Sequence, residues 1–239
     1  MQEHHPQVGY PADQRSSTSP AEQDLLGAAS PSGVSCPAPG ICDHGNPPTD
    51  LDRYDAVLFD WDGTLVNSHP LNFRGLSRAC ANWGLTLSES FYTTRIGTSG
   101  AELINELAAA TGTHVPIDDV VAQCLDLILG EIAELQTYRP VVQLAESLHG
   151  SLPLAVASGG ARRAVHAGLD ATGLRPLFTE VITGEDAPRG KPDPGLFLLA
   201  SARLGVAPAR CLVYEDSAEG VQAAQAAGMD VVDVQCFRA

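Results

Sequence analysis

Five short, uninterrupted apolar runs recur along the chain: AVLFD (56–60), LAVAS (154–158), EVIT (180–183), CLVYE (211–215) and DVVDV (230–234). A run that is apolar at successive positions buries both of its faces, as strands of a parallel sheet do. The segments between the later runs have helical punctuation. Pro140 stands where a first helical turn begins, opening PVVQLAESLHG, and GARRAVHAGLDATG, PGLFLLASARLG and AEGVQAAQAAG each close on the glycine expected just past a helix C-terminus. Strand–helix alternation of this kind predicts an α/β fold, a doubly wound parallel sheet with helices on both faces.

Residues 67–139 break the alternation. They hold no convincing strand. Ser99 and Glu102 form a capping box ahead of LINELAAATG, and VVAQCLDLILGEIAELQ spaces its apolar residues as an amphipathic helix does. The expected organisation is therefore a core of residues 53–66 and 140–239, interrupted by an all-helical cap domain over 67–139. Eight of the 17 prolines fall in the first 50 residues, with a single aromatic, Tyr10. Such a segment cannot bury enough apolar surface to offset its chain entropy, so residues 1–52 read as a disordered N-terminal tail. Cys36 and Cys42 within it fit no recognised metal-ligand spacing.

Composition narrows the partners. A net charge of -15 argues against nucleic acid or an anionic membrane surface, both of which are bound by basic faces. No apolar run approaches the roughly 18–20 residues of a membrane span. The N-terminus lacks the basic and apolar regions of a secretory signal, and six scattered cysteines without a CxxC pair read as free thiols. A cytoplasmic location follows as the expectation. Of the 14 basic residues 13 are arginine; Lys191 is the one lysine, which marks a position where a compact ammonium matters.

Ligands of an open parallel sheet bind beyond the carboxyl ends of its strands. The first run ends in Asp60-Trp61-Asp62-Gly63-Thr64, the second in Ser158-Gly159-Gly160, and the fourth in Glu215-Asp216; GKPDP, holding Lys191, follows the third. Four carboxylates brought together repel by several kcal/mol at an effective dielectric of roughly 20, so they call for a cation. All-oxygen ligation with open positions suits Mg²⁺, which binds through one or two carboxylates, waters and a substrate phosphate. A lysine would complement charge on that phosphate, and a carboxylate beside the ion can attack phosphorus. Simpler readings stand beside these: Asp216 as a helix cap, Ser158 as a turn residue, Lys191 as a solvated loop charge. Asp193 reads as a structural turn residue, and Trp61 and Trp83 as packing residues.

DWDGT, the strand-end Ser158, GKPDP and YEDSAEGVQAAQAAGM resemble the four ordered motifs of the haloacid dehalogenase (HAD) superfamily of phosphohydrolases, over about residues 54–236. The place of the helical insert resembles the β-phosphoglucomutase-like branch. The resemblance implies a Rossmann-like core with Asp60 as nucleophile and Asp62 as general acid/base. It implies Mg²⁺ held by the carboxylates of Asp60 and Asp216, the main-chain carbonyl of Asp62, and Glu215. Ser158, Gly159 and Lys191 would hold the phosphoryl oxygens. A monomer acting on a small phosphorylated metabolite is implied as well.

Two departures bear on the subclass. β-Phosphoglucomutases carry a histidine where this chain has Asn72, and an arginine, which grips a second phosphate, where it has Gly100. Arg95 and Arg74 are the candidate replacements for that clamp. The C-terminal third resembles fructose-1-phosphate/6-phosphogluconate phosphatases, so the expectation is a Mg²⁺-dependent sugar-phosphate phosphatase. Selectivity is expected around Asn72 to Arg74 and Gly97 to Gly100. A mutase-type isomerase and a non-catalytic phosphoacceptor module are the alternatives; the insert and Asp62 count against the second.

Overall fold

Ala56 and Leu58 of the first strand, β1 (Ala56–Phe59), join one buried apolar cluster, whereas Val57 and Phe59 join another. That two-residue alternation splits the core into layers above and below the sheet. The computed structural model describes residues 51–96 and 98–236. The sequence reading of residues 1–50, Cys36 and Cys42 among them, lies outside the described residues, as does that of Gly97.

The remaining core strands are β4 (Leu154–Ala157), β5 (Glu180–Ile182), β6 (Cys211–Glu215) and β7 (Asp230–Asp233), in the order β5-β4-β1-β6-β7 with every ladder parallel. The order reverses around β1, so the chain winds outward in both directions from the centre. Helices α5 (Arg139–Leu148) and α6 (Arg162–Thr172) supply Val141, Val142, Val165 and Leu169 to one layer. Helices α7 (Gly195–Leu204) and α8 (Ala218–Ala226) supply Leu196, Phe197, Ala223 and Ala224 to the other. Gly173 and Gly205 close α6 and α7 in the left-handed conformation that a side chain disfavours. Leu51 and Tyr54 already pack on the core, two residues before the expected boundary at 53.

Between β1 and α5 lie α1 (His69–Asn82), α2 (Glu89–Thr93), α3 (Gly100–Thr111) and α4 (Ile117–Gly130). They bury a separate cluster built on Leu76, Ala79, Leu103, Ile104, Leu107 and Val120. The Ser99–Glu102 capping box opens α3 in both directions. Contrary to the strand-free expectation for 67–139, the segment begins and ends in an antiparallel ribbon, β2 (Val66–Asn67) against β3 (Gln136–Thr137). Two-residue strands are too short to show any period, which hid them in the sequence. Trp61 is buried and packs on Gly168, whereas Trp83 is 38% exposed, with Nε1 donating to Gln123 Oε1 at 3.2 Å. Among the described residues no helix is long and apolar enough to cross a membrane.

Candidate active site

The carboxyl edge of β1, β4 and β6 gathers buried polar side chains against apolar strand interiors. Asp60, immediately after β1, is anchored by its own N–H, which donates to Tyr214 O at 3.0 Å. Glu215 ends β6, and Asp216 follows it. One carboxylate oxygen from each of Asp60, Glu215 and Asp216 lies within 4.8 Å of the others, and all three residues are buried.

Lys191 enters this group from the loop before α7. Its Nζ donates to Asp60 Oδ1 at 2.5 Å and to Glu215 Oε1 at 2.6 Å, and stands 5.0 Å from the centre of the Phe197 ring. The chain's one lysine is therefore a buried counter-ion and not a solvated loop charge. Burial opposes its ammonium, but the Asp60 and Glu215 carboxylates outweigh that and hold its pKa above the ordinary value. For Asp60 the balance goes the other way. Burial pushes its pKa well above the usual carboxylate range; Lys191 offsets part of this, and Glu215, Asp216 and Asp62 push it further up. One ammonium among these carboxylates leaves excess negative charge in a desolvated site, so the donor set fits a divalent, oxygen-seeking cation.

The second oxygen of Glu215 is fixed by the chain that follows. Oε2 accepts from the N–H of Asp216 at 2.7 Å, the N–H of Ser217 at 2.6 Å and the Ser217 hydroxyl at 3.0 Å. The cap of α8 is Ser217, whose Oγ accepts from Gly220 N at 3.0 Å, and not Asp216 as its position suggested. Asp216 turns to the site, where Thr64 Oγ1 donates to its Oδ1 at 3.2 Å and Gln235 donates to its carbonyl. Two glycines make room. A Cβ at Gly63, which has φ +85°, would strike the Asp216 carboxylate, and one at Gly220 would fall on that of Glu215.

Asp62 sits in different company. Its Oδ2 accepts from Ser158 Oγ at 3.4 Å and its Oδ1 from Asn72 Nδ2 at 3.4 Å, so a core residue and an insert residue both hold it. Its carboxylate is not among the three clustered acids. Ser158 is buried, with its N–H donating to Ile182 O and its Oγ accepting from Gly160 N, each at 2.9 Å. Gly159 is exposed beside it. Burial first, and then the Asp62 charge, hold the phenol of Tyr92, in α2, above its ordinary pKa. As expected, Asp193 stays in its turn, with Oδ1 accepting from Gly195 N at 2.9 Å.

Gly220 and Tyr92 were not singled out from the sequence. A glycine in the first turn of a helix costs stability relative to alanine, so Gly220 carried a legible signal of close approach. Tyr92 carried none. The candidate clamp arginines are engaged elsewhere: Arg95 Nε donates to Glu106 Oε2 at 2.7 Å, and Arg74 Nη2 to Glu134 Oε2 at 2.6 Å.

Residues 54–228 match the model of the haloacid dehalogenase-like hydrolases. The chain is 32% identical over 188 residues to the fructose-1-phosphate phosphatase YqaB of Escherichia coli, covering 77% of this chain and 98% of that protein. A phosphorylated carbohydrates phosphatase of Thermotoga maritima is 29% identical, over 74% of this chain and 82% of its own. The crystal structure of CbbY from Rhodobacter sphaeroides in complex with phosphate superposes with a TM-score of 0.69 at 27% identity, covering 77% of this chain and 88% of that one. With this match spanning both the carboxylate-bearing sheet edge and the helical insert, the chain belongs to the haloacid dehalogenase-like hydrolase family.

Proposed function

We propose that the protein is a Mg²⁺-dependent phosphatase of small sugar monophosphates, working through an aspartyl phosphate on Asp60. The observation that carries this reading is the division between two acids two residues apart. Asp60 faces Lys191 and the acidic cluster, whereas Asp62 faces Ser158 and Asn72. One acid pairs with an ammonium beside two further carboxylates, the other with neutral groups, and a nucleophile and a proton carrier need two such different environments.

An Asp60 oxygen attacks phosphorus, the bond to the sugar oxygen breaks, and Asp62 delivers a proton to that departing oxygen. Asp62, now ionised, takes a proton from water as the water attacks the same phosphorus. Inorganic phosphate leaves, and the Asp60 carboxylate is restored. Ser158 Oγ, the backbone around Gly159 and Lys191 hold phosphoryl oxygens in this scheme. The carboxylates of Asp60, Glu215 and Asp216, with the Asp62 carbonyl, would hold Mg²⁺, which supplies positive charge to the transferring group and keeps Asp60 ionised. The engagement of Arg74 and Arg95 by carboxylates favours hydrolysis over isomerisation through a bisphosphate, which needs a second-phosphate clamp. The free thiols of Cys80, Cys124 and Cys211 agree with a reducing, cytoplasmic setting.

The test is a panel of sugar phosphates with Mg²⁺, assayed for both inorganic phosphate and isomerised product, with Asp60→Asn as control. Phosphate release that disappears in Asp60→Asn, with the fold retained by circular dichroism, is the expected result. Mg²⁺-dependent turnover surviving in that variant would overturn the mechanism. Conversion of β-glucose 1-phosphate to glucose 6-phosphate with little free phosphate would make the protein a mutase.

A further inference from the structure

Helix α6 opens on Ala161, whose methyl side chain offers no acceptor to the amides of the first turn. Ser, Thr, Asp or Asn commonly supplies one there. In this chain the acceptor comes from elsewhere: both carboxylate oxygens of Glu185 accept from the Arg162 N–H, at 3.0 and 2.9 Å. Glu185 lies in the short turn Gly184–Asp186 after β5. That turn is itself locked. Asp186 Oδ2 accepts from the N–H and the hydroxyl of Thr183 at 2.9 and 2.8 Å, and its Oδ1 from Arg162 Nη2 at 3.0 Å.

The same turn backs the Ser158-Gly159-Gly160 loop that leads into α6. Gly184 N–H donates to Gly160 O at 3.0 Å, and a Cβ on Gly184 would stand 2.6 Å from Gly159 O. Within the loop the Ser158 N–H goes to Ile182 O and the Gly160 N–H to Ser158 Oγ. Among the described residues this leaves the Gly159 N–H as the loop amide open to a ligand. By charge alone, a carboxylate two residues beyond a phosphoryl subsite is unfavourable, because it repels the anion. Its hydrogen bonds give it a different part. We propose, resting on the phosphatase reading above, that Glu185 is a positioning residue for the phosphoryl subsite. It ties the chain leaving the loop to the turn after β5, so that Ser158 Oγ and the Gly159 N–H are preorganised for phosphoryl oxygens.

Position and charge predict opposite signs, and phosphate affinity separates them. The probe is inorganic phosphate, read on the full chain as a product-inhibition constant with Mg²⁺ and by calorimetry. Glu185→Ala is expected to weaken phosphate binding by about fivefold and to lower kcat/KM alongside. Mg²⁺ binding measured without phosphate is expected to stay unchanged, because Asp60, Glu215 and Asp216 stand on other strand ends. Glu185→Gln keeps an acceptor oxygen but no charge, and should return phosphate affinity to the wild-type value or better. An alanine variant that binds phosphate at least as tightly as the wild type, or a glutamine variant no better than alanine, would overturn this inference and leave the phosphatase reading standing. A wild-type protein that neither binds phosphate nor hydrolyses any ester of the panel would overturn both.

Discussion

The carboxyl edge of the sheet and the helical insert manage charge in opposite ways. At the edge, Asp60, Glu215 and Asp216 are buried within reach of one another with Lys191 between two of them, and Asp60 is held well above its ordinary pKa. In the insert, acids outnumber arginines, yet the pairs lie toward solvent over an apolar interior of their own. Ion pairs wetted by solvent contribute little to stability, whereas buried uncompensated charge is costly and persists where chemistry needs it. The insert is held together as a small protein would be; the edge is held in place by the strands beneath it.

If that contrast is right, the edge should fail in activity and the insert in stability. The largest effect is expected for Gly220→Ala, whose methyl group would collide with the Glu215 carboxylate and displace it from Lys191. Phosphatase kcat/KM should fall by about 10³-fold, roughly 4 kcal/mol of transition-state stabilisation. Near-normal activity in that variant would show that Glu215 has no fixed place in the site.

Ile104→Ala tests the other side. Ile104 is fully buried in the insert cluster, so its truncation should cost about 3 kcal/mol by denaturant titration. Turnover per folded molecule should change far less than in Gly220→Ala. A comparable collapse of kcat/KM would mean that insert packing and edge geometry are one unit.

The smallest effect is expected at Asp186, after β5. Burial raises its pKa, but the N–H and hydroxyl of Thr183 and the guanidiniums of Arg162 and Arg203 outweigh this and hold it near about 2. A carboxylate whose pKa is depressed in the folded state stabilises that state above the unfolded value and loses the contribution as pH falls toward the folded one. Asp186→Asn should therefore cost about 1 kcal/mol at neutral pH, as for a solvent-screened charged hydrogen bond, and the difference should close as pH falls from about 4 toward 2. A pH-independent difference would locate the effect in packing.

Much of this was written in local sequence. Apolar runs at 56–60, 154–158 and 211–215 read as strands buried on both faces, so the parallel sheet followed from those runs and the helical segments between them. Helix ends at Gly173 and Gly205, and the Ser99–Glu102 box, follow from conformational and hydrogen-bonding preferences acting within a few residues. The acids of DWDGT and YED were legible because strand ends in such a sheet converge on one edge.

Other features depend on which distant groups meet. Asp60 and Asp62 are chemically identical in sequence, and only the fold gives one Lys191 and the other Ser158 with Asn72. Asp216 could be read as a site acid or as a helix cap; Ser217 holds the cap position, and Asp216 accepts from Thr64. Arg74 and Arg95 looked available as phosphate clamps, yet Glu134 and Glu106 occupy them. The sequence by itself determined the sheet, the helices and the edge on which the chemistry gathers, because those rest on periodicity and backbone preference. Tertiary structure alone decided each acid's environment and each arginine's partner, because Coulomb and hydrogen-bond energies depend on distance through space and not along the chain.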